Sequence, residues 1–159
     1  MSMNFDSLLA KVSECSMKKV AVAVAQDAPV LEACKAAKER GIADSILVGD
    51  EAKIREVADS IGMDLTGYEI IHEEDTYTAA LTAVKLVHDK KADMYMKGLV
   101  DTKSFLKSVL DKEVGLRTGK ALSHVCVFEI PGIDRLLFLT DVAFMTYPTL
   151  EDKVNIIAN

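Results

Sequence analysis

Within Lys97-Gly98-Leu99-Val100-Asp101-Thr102 the chain places a cation, a residue without a side chain and a hydroxyl, between an apolar run and an amphipathic one. That set suits an oxyanion such as phosphate: an ammonium supplies charge, glycine lets backbone amides come close, and a hydroxyl donates a hydrogen bond. A helix opening at this turn would add its first amide groups, which have no intrahelical partner and carry partial positive charge. An anion there gains roughly 0.3–1 kcal/mol before any lysine is counted. The same residues also make an ordinary strand-to-helix turn with Asp101 or Thr102 as N-cap.

The flanking elements must hold this turn. Ala92 to Met96 reads as a buried strand. Thr102 to Leu110 gathers Phe105, Leu106, Val109 and Leu110 on one helical face, with Lys103 and Lys107 on the other. Upstream, Val20 to Ala25 is an apolar run of small and β-branched residues that reads as a parallel strand. Pro29 suits the first turn of the following helix; Val30, Leu31, Cys34 and Ala37 are its stripe, and Gly41 stops it. Ser45 to Gly49 is a second strand. The segment from Asp50 carries Ala52, Ile54, Val57, Ala58 and Ile61 at helical spacing and closes at Gly62. Tyr68 to Ile71 is a third strand, and Asp75 or Thr76 caps a helix through His88.

Four strand-helix alternations imply an α/β fold with a mostly parallel sheet flanked by helices. Such sheets bind ligands at the carboxyl ends of their strands, where the Lys97 turn falls. After Leu110 the pattern changes. Leu122 to Ile130 and Arg135 to Val142 are β-rich runs joined by a Pro131-Gly132 turn, and Thr149 to Asp152 opens a last helix with a capping-box pattern. The expected division is an N-terminal α/β domain over residues 1–120 and the beginning of a second α/β domain over 121–159. That last helix ends at Asn159 without a Gly or Pro stop, as in a chain cut inside a longer protein.

The 159 residues carry a net charge of −6, which disfavours a general nucleic-acid surface and leaves room for a local basic pocket. Cys15, Cys34 and Cys126 are odd in number and widely spaced, so they read as buried thiols of a reducing compartment. His72, His88 and His124 lack metal-ligand spacing, and no metal is expected. Met1 to Lys11 has no apolar run behind a basic segment, and about 18 consecutive apolar residues occur nowhere. The expectation is a cytoplasmic protein with neither membrane nor nucleic acid as partner.

Met96 to Thr102, Gly115-Leu116-Arg117-Thr118-Gly119-Lys120-Ala121-Leu122-Ser123-His124-Val125, Val127-Phe128-Glu129 and Thr140-Asp141-Val142-Ala143, taken in order, resemble the phosphate acetyl/butyryltransferase family, most closely its butyryl branch. The resemblance runs from about Val20 to the end and marks the chain as similar to the family's N-terminal half. It implies two α/β domains around a cleft, similar to isocitrate and isopropylmalate dehydrogenases. It implies transfer of a short acyl group between CoA and inorganic phosphate, with CoA and phosphate as substrates, no cofactor, and a homodimer. By this resemblance Lys97 and Thr102 are the catalytic residues, Thr102 as a hydrogen-bond donor. Gly98, Lys107, Arg117 and Ser123 bind phosphate or substrate, Arg117 through its planar fork. Ser123 and His124 belong to the same signature, and Asp141 either orients the cleft or ends its strand. Met145 stands where relatives commonly carry asparagine, which removes a polar group. The part of relatives beyond this half supplies most CoA contacts and a carboxylate proposed to take the thiol proton, so the isolated chain is expected to be inactive.

Two other functions share the superfold: a fragment of a nicotinamide-dependent dehydrogenase, and a non-enzymatic phosphometabolite-binding or assembly module. Against the first, no G-x-G-x-x-G follows any strand.

Overall fold

The computed structural model describes residues 4–142 and 144–159. Ala143 of the Thr140–Ala143 motif and the first three residues of the N-terminal stretch lie outside the described residues. In chain order the elements are α1 (Phe5–Val12), β1 (Lys18–Ala23), α2 (Ala28–Glu39), β2 (Ala43–Gly49), α3 (Glu51–Ser60) and β3 (Glu69–His72). They continue as α4 (Thr76–His88), β4 (Met94–Lys97), α5 (Thr102–Val109), β5 (Val125–Phe128), β6 (Leu137–Thr140) and α6 (Leu150–Ala158). The chain divides into two units: Cys15–Arg117, and the residues up to Glu14 together with Thr118–Asn159.

In the Cys15–Arg117 unit, four parallel strands lie in the order β3-β2-β1-β4. The strand-helix alternation therefore forms the α/β sheet it predicts. β1 is central and Ala21, Val22 and Ala23 are fully buried, because helices cover both of its faces. On one face Ala21 and Ala23 meet Ala79, Ala80 and Ala83 of α4. On the other, Val20 and Val22 meet Leu31 and Cys34 of α2 and Ile54 and Ala58 of α3. The small residues of α4 let it sit close to the sheet, while Leu31, Leu47 and Ile54, fully buried, each contribute about 1.5–3 kcal/mol.

The helix ends follow local chemistry. Asp50 accepts hydrogen bonds from the Ala52 and Lys53 amides and so caps α3. Asp75, rather than Thr76, caps α4 by accepting from Thr78 N–H at 2.8 Å. Four details depart from the sequence reading. β4 is an edge strand and not a buried one: Met94 is 46% exposed because β4 has a partner only in β1. Ala52 faces solvent, the α3 stripe being Ile54 and Ala58 with Val57 and Ile61 partly buried beside them. On α5, Leu110 is exposed and the buried side chain is Ser108. Of the thiols only Cys34 is buried, and burial pushes it up despite a hydrogen bond with Ser45. Cys15, after the end of α1, is exposed, and Cys126, within the two-stranded β5–β6 sheet, is half-exposed.

In the other unit, β5 and β6 pair antiparallel across the Pro131-Gly132 turn, with Val125 opposite Thr140 and Phe128 opposite Leu137. The paired strands are shorter than the β-rich runs. Thr149 and Asp152 form the capping box of α6. α1 belongs to this unit, where Phe5 N–H donates to a Glu129 carboxylate at 2.7 Å.

Candidate phosphate-side site

The order β3-β2-β1-β4 reverses direction at β1: the chain steps outward to β2 and β3, then returns to the far side of β1 for β4. The loops leaving β1 and β4 thus diverge, opening a crevice at their carboxyl ends. The Lys97–Thr102 turn lies at that switch point.

Two backbone hydrogen bonds fasten the turn to β1: Gly98 N–H donates to Ala23 O at 2.9 Å and Leu99 N–H to Val24 O at 2.8 Å. This approach requires glycine. A Cβ on Gly98 would stand 2.4 Å from Val24 O and 2.5 Å from Ala23 O. Val24 itself is buried in a left-handed conformation, φ 57°, which a β-branched residue adopts only at a cost of about 1–2 kcal/mol. β1 accordingly ends at Ala23, before the end of the apolar run. Strain of this kind persists where surrounding contacts over-determine it, and such places cluster at functional sites.

Beside it, Gln26 presents a buried Oε1 that has no hydrogen-bond partner among the described residues. That oxygen lies where a Cβ on Gly49 would be, 2.1 Å away. Val24 and Gln26 carry no sequence signal of their special state, since an apolar run and a polar loop residue look ordinary. An outlying φ and an orphaned oxygen become visible only in three dimensions.

Lys97 is exposed, and its Nζ makes a long 3.4 Å contact to Gly98 O. Asp101 is the N-cap of α5, accepting from Ser104 N–H at 2.9 Å. That hydrogen bonding, from Ser104, holds its carboxyl below the usual carboxylate range. With Asp101 as cap, the Thr102 hydroxyl is exposed and has no hydrogen-bond partner among the described residues. Lys97, Gly98 and Thr102 are thus brought together in one turn.

Lys107 lies on α5 with its Nζ 4.2 Å from the centre of the Tyr77 ring, a cation-π contact with α4. Arg117 is exposed at the end of the same unit, without a partner among the described residues. Ser123 belongs to the other unit, where its Oγ accepts from Asn159 Nδ2 at 3.0 Å. His124 N–H donates to the Asp141 carboxylate at 3.2 Å, and the same carboxylate accepts from Met145 N–H at 2.9 Å. Asp141 therefore closes the β5–β6 end. No group of three or more metal-ligating side chains occurs among the described residues.

The family model "Phosphate acetyl/butaryl transferase" matches residues 4–82 and 74–159. Phosphate butyryltransferase of Clostridium beijerinckii is 62% identical over 159 residues, all of this chain and 53% of that protein. Probable phosphate butyryltransferase of Bacillus subtilis is 42% identical over 99% of this chain and 52% of its own length. The chain thus spans about half the length of the curated relatives it matches. Among solved structures, a branched-chain phosphotransacylase from Enterococcus faecalis is similar with a TM-score of 0.73 at 26% identity, covering 90% of this chain and 49% of that one. A phosphotransacetylase from Streptococcus pyogenes shares the fold, with a TM-score of 0.79 at 17% identity over 99% of this chain and 57% of that one. With a switch-point turn that presents an ammonium and a hydroxyl next to the strained Val24, and with similarity along its whole length, the chain belongs to the phosphate acetyl/butaryl transferase family.

Proposed function

We propose that this chain is the phosphate-side, N-terminal half of an acyltransferase that interconverts acyl-CoA plus phosphate with acyl phosphate plus CoA. The observation that carries the reading is 62% identity to a phosphate butyryltransferase over all 159 residues, the switch-point turn included. In the forward step a phosphate oxygen attacks the thioester carbonyl carbon, the carbon-sulfur bond breaks, and the electron pair leaves with the CoA sulfur. A proton then completes the thiol. Lys97 offsets the phosphate charge, the Thr102 hydroxyl donates a hydrogen bond to a phosphate oxygen, and Gly98 lets the turn pack against β1, which fixes where both groups stand. Lys107 and Arg117 add substrate contacts in this reading, and Ser123 is a substrate contact of its own unit. No cofactor is required, because both reactants arrive activated or charged.

The reading extends to an isocitrate and isopropylmalate dehydrogenase-like, two-domain architecture with its boundary near residue 120. The parallel sheet and a second unit that holds β5, β6 and α6 together with α1 support it. A cytoplasmic location fits the finding that, among the described residues, no helix is long and apolar enough to cross a membrane. A homodimer fits the exposed stripe Leu150, Val154 and Ile157 on α6.

The test is phosphate-dependent CoA release from butyryl-CoA by this chain and by a version extended to the relatives' length. Activity in the extended protein that falls at least about 100-fold in Lys97→Met is expected. An extended, folded protein with no phosphate-dependent release overturns the proposal.

A further inference from the structure

α5 has eight residues, too few to hold a helix in water alone, and its one fully buried side chain among the described residues is Ser108. Its direction therefore depends on what fastens it. Tyr95 lies two residues before Lys97 and on the same face of β4. The Tyr95 ring stacks on Phe105 of α5 with centroids 4.6 Å apart and planes 10° from parallel. Its hydroxyl is 2.8 Å from Ser108 Oγ and 3.2 Å from Ala80 O on α4, while Ser108 Oγ lies 2.7 Å from Phe105 O.

Two hydroxyl hydrogens serve these three contacts. In one arrangement Ser108 donates to Tyr95 and Tyr95 to Ala80, stringing α5, β4 and α4 together. In another Tyr95 donates to Ser108 and Ser108 to Phe105. A third, with Tyr95 donating to Ala80 and Ser108 to Phe105, would leave two hydroxyl oxygens facing each other at 2.8 Å with no hydrogen between them, which is repulsive. The Tyr95–Ser108 bond is common to the two arrangements that avoid this repulsion.

We propose that Tyr95 and Ser108 are a positioning pair for the phosphate-side turn, holding the first turn of α5 at a fixed distance from Lys97; this rests on the phosphate reading of Lys97–Thr102. Thr102 lies less than two helical turns from Ser108, so any swing of α5 about the Phe105 stack displaces Thr102 and the first amides. Tyr95→Phe keeps the stack and removes the bond. Ser108→Ala removes it from the other side.

The experiment titrates the chain with inorganic phosphate and follows the Gly98, Leu99 and Thr102 amide resonances, at a temperature where every variant is folded. Tyr95→Phe and Ser108→Ala are each expected to weaken phosphate binding by about three- to tenfold, and the double variant by no more than either single one. Ile54→Val, which loosens the opposite face of the sheet, is expected to lower the Tm and leave the phosphate Kd unchanged. A lower Tm with wild-type phosphate Kd in both pair variants overturns the positioning role and leaves the phosphate reading intact. A phosphate Kd that moves equally in Ile54→Val also overturns it. No phosphate-dependent shift in the wild-type amides overturns the phosphate reading and the pair's role together.

Discussion

Adding one methyl group at Gly98 tests whether the turn depends on its close approach to β1. A Cβ there would meet Val24 O at 2.4 Å, and an ordinary 3.4 Å contact is reached only if the turn retreats by about 1 Å. Neither acceptor can yield, because Ala23 and Val24 are buried between two helical layers. A retreat of that size stretches the 2.9 Å and 2.8 Å bonds to Ala23 O and Val24 O to nearly 4 Å, beyond hydrogen-bond range. Two lost bonds at about 0.5–1.5 kcal/mol each, with residual overpacking, put the destabilisation of Gly98→Ala at about 2–4 kcal/mol. For a unit of this size that lowers the Tm by on the order of 10–20 °C. In the longer protein, a 1 Å displacement of the turn that carries Lys97 and Thr102 should cost about 100-fold in phosphate-dependent acyl transfer even below the Tm. Thermal unfolding followed by circular dichroism gives the first number and CoA release the second. A Gly98→Ala chain with wild-type Tm and unchanged phosphate affinity would refute the close-packed turn.

Truncating Leu31, which is fully buried between α2 and β1, to alanine should cost about 2–5 kcal/mol, read from the urea midpoint at constant slope. Cys34 should stay unmodified by iodoacetamide at pH 8 until the chain unfolds, because it is buried and its thiol is held protonated; labelling in the folded chain would contradict this. The cap carboxylates Asp50, Asp75 and Asp101 all ionise more readily folded than unfolded. Their contribution is therefore fully present above the unfolded carboxyl pKa of about 3.9 and is lost as pH falls through their lower folded values. Urea midpoints measured from pH 6 down to pH 2 should decline mainly below about pH 4, and more shallowly in Asp75→Asn. Ile157→Lys, on the exposed stripe of α6, should reduce self-association in sedimentation without lowering the Tm.

Much of the fold was legible because its signals are local. The Val20–Ala25 run, Pro29 at a helix start and Gly41 at its end fix elements through φ preferences and spacing alone. Exposure was less legible, because it depends on neighbours. Ala92 to Met96 reads as buried, yet β4 takes the sheet edge and Met94 is left open. Ser108 escaped for the opposite reason. A serine on a helix carries no sign of burial, and only the partners it meets in the fold, the Tyr95 hydroxyl and Phe105 O, make that position favourable. Lys97, Gly98 and Thr102 were legible as a set because six adjacent residues place them. The left-handed Val24, which fixes where that set lies, was not. The grouping of α1 with residues after 117 likewise joins segments more than a hundred positions apart, beyond any local pattern.

The turn also contains an electrostatic conflict that its geometry resolves. Asp101 is ionised at neutral pH and holds the Ser104 amide, so a phosphate cannot use that amide or approach that carboxylate closely. What this leaves for an anion, in the phosphate reading, is the Thr102 amide and hydroxyl and the Lys97 ammonium two positions past Tyr95. The cap keeps α5 wound, and in the phosphate reading its charge would steer the anion toward Lys97. Neutralising Asp101 would therefore loosen the helix start and remove the repulsion that confines the phosphate, two effects of opposite sign on affinity. Lys97 has no such counterpart, and its loss can act only to weaken binding.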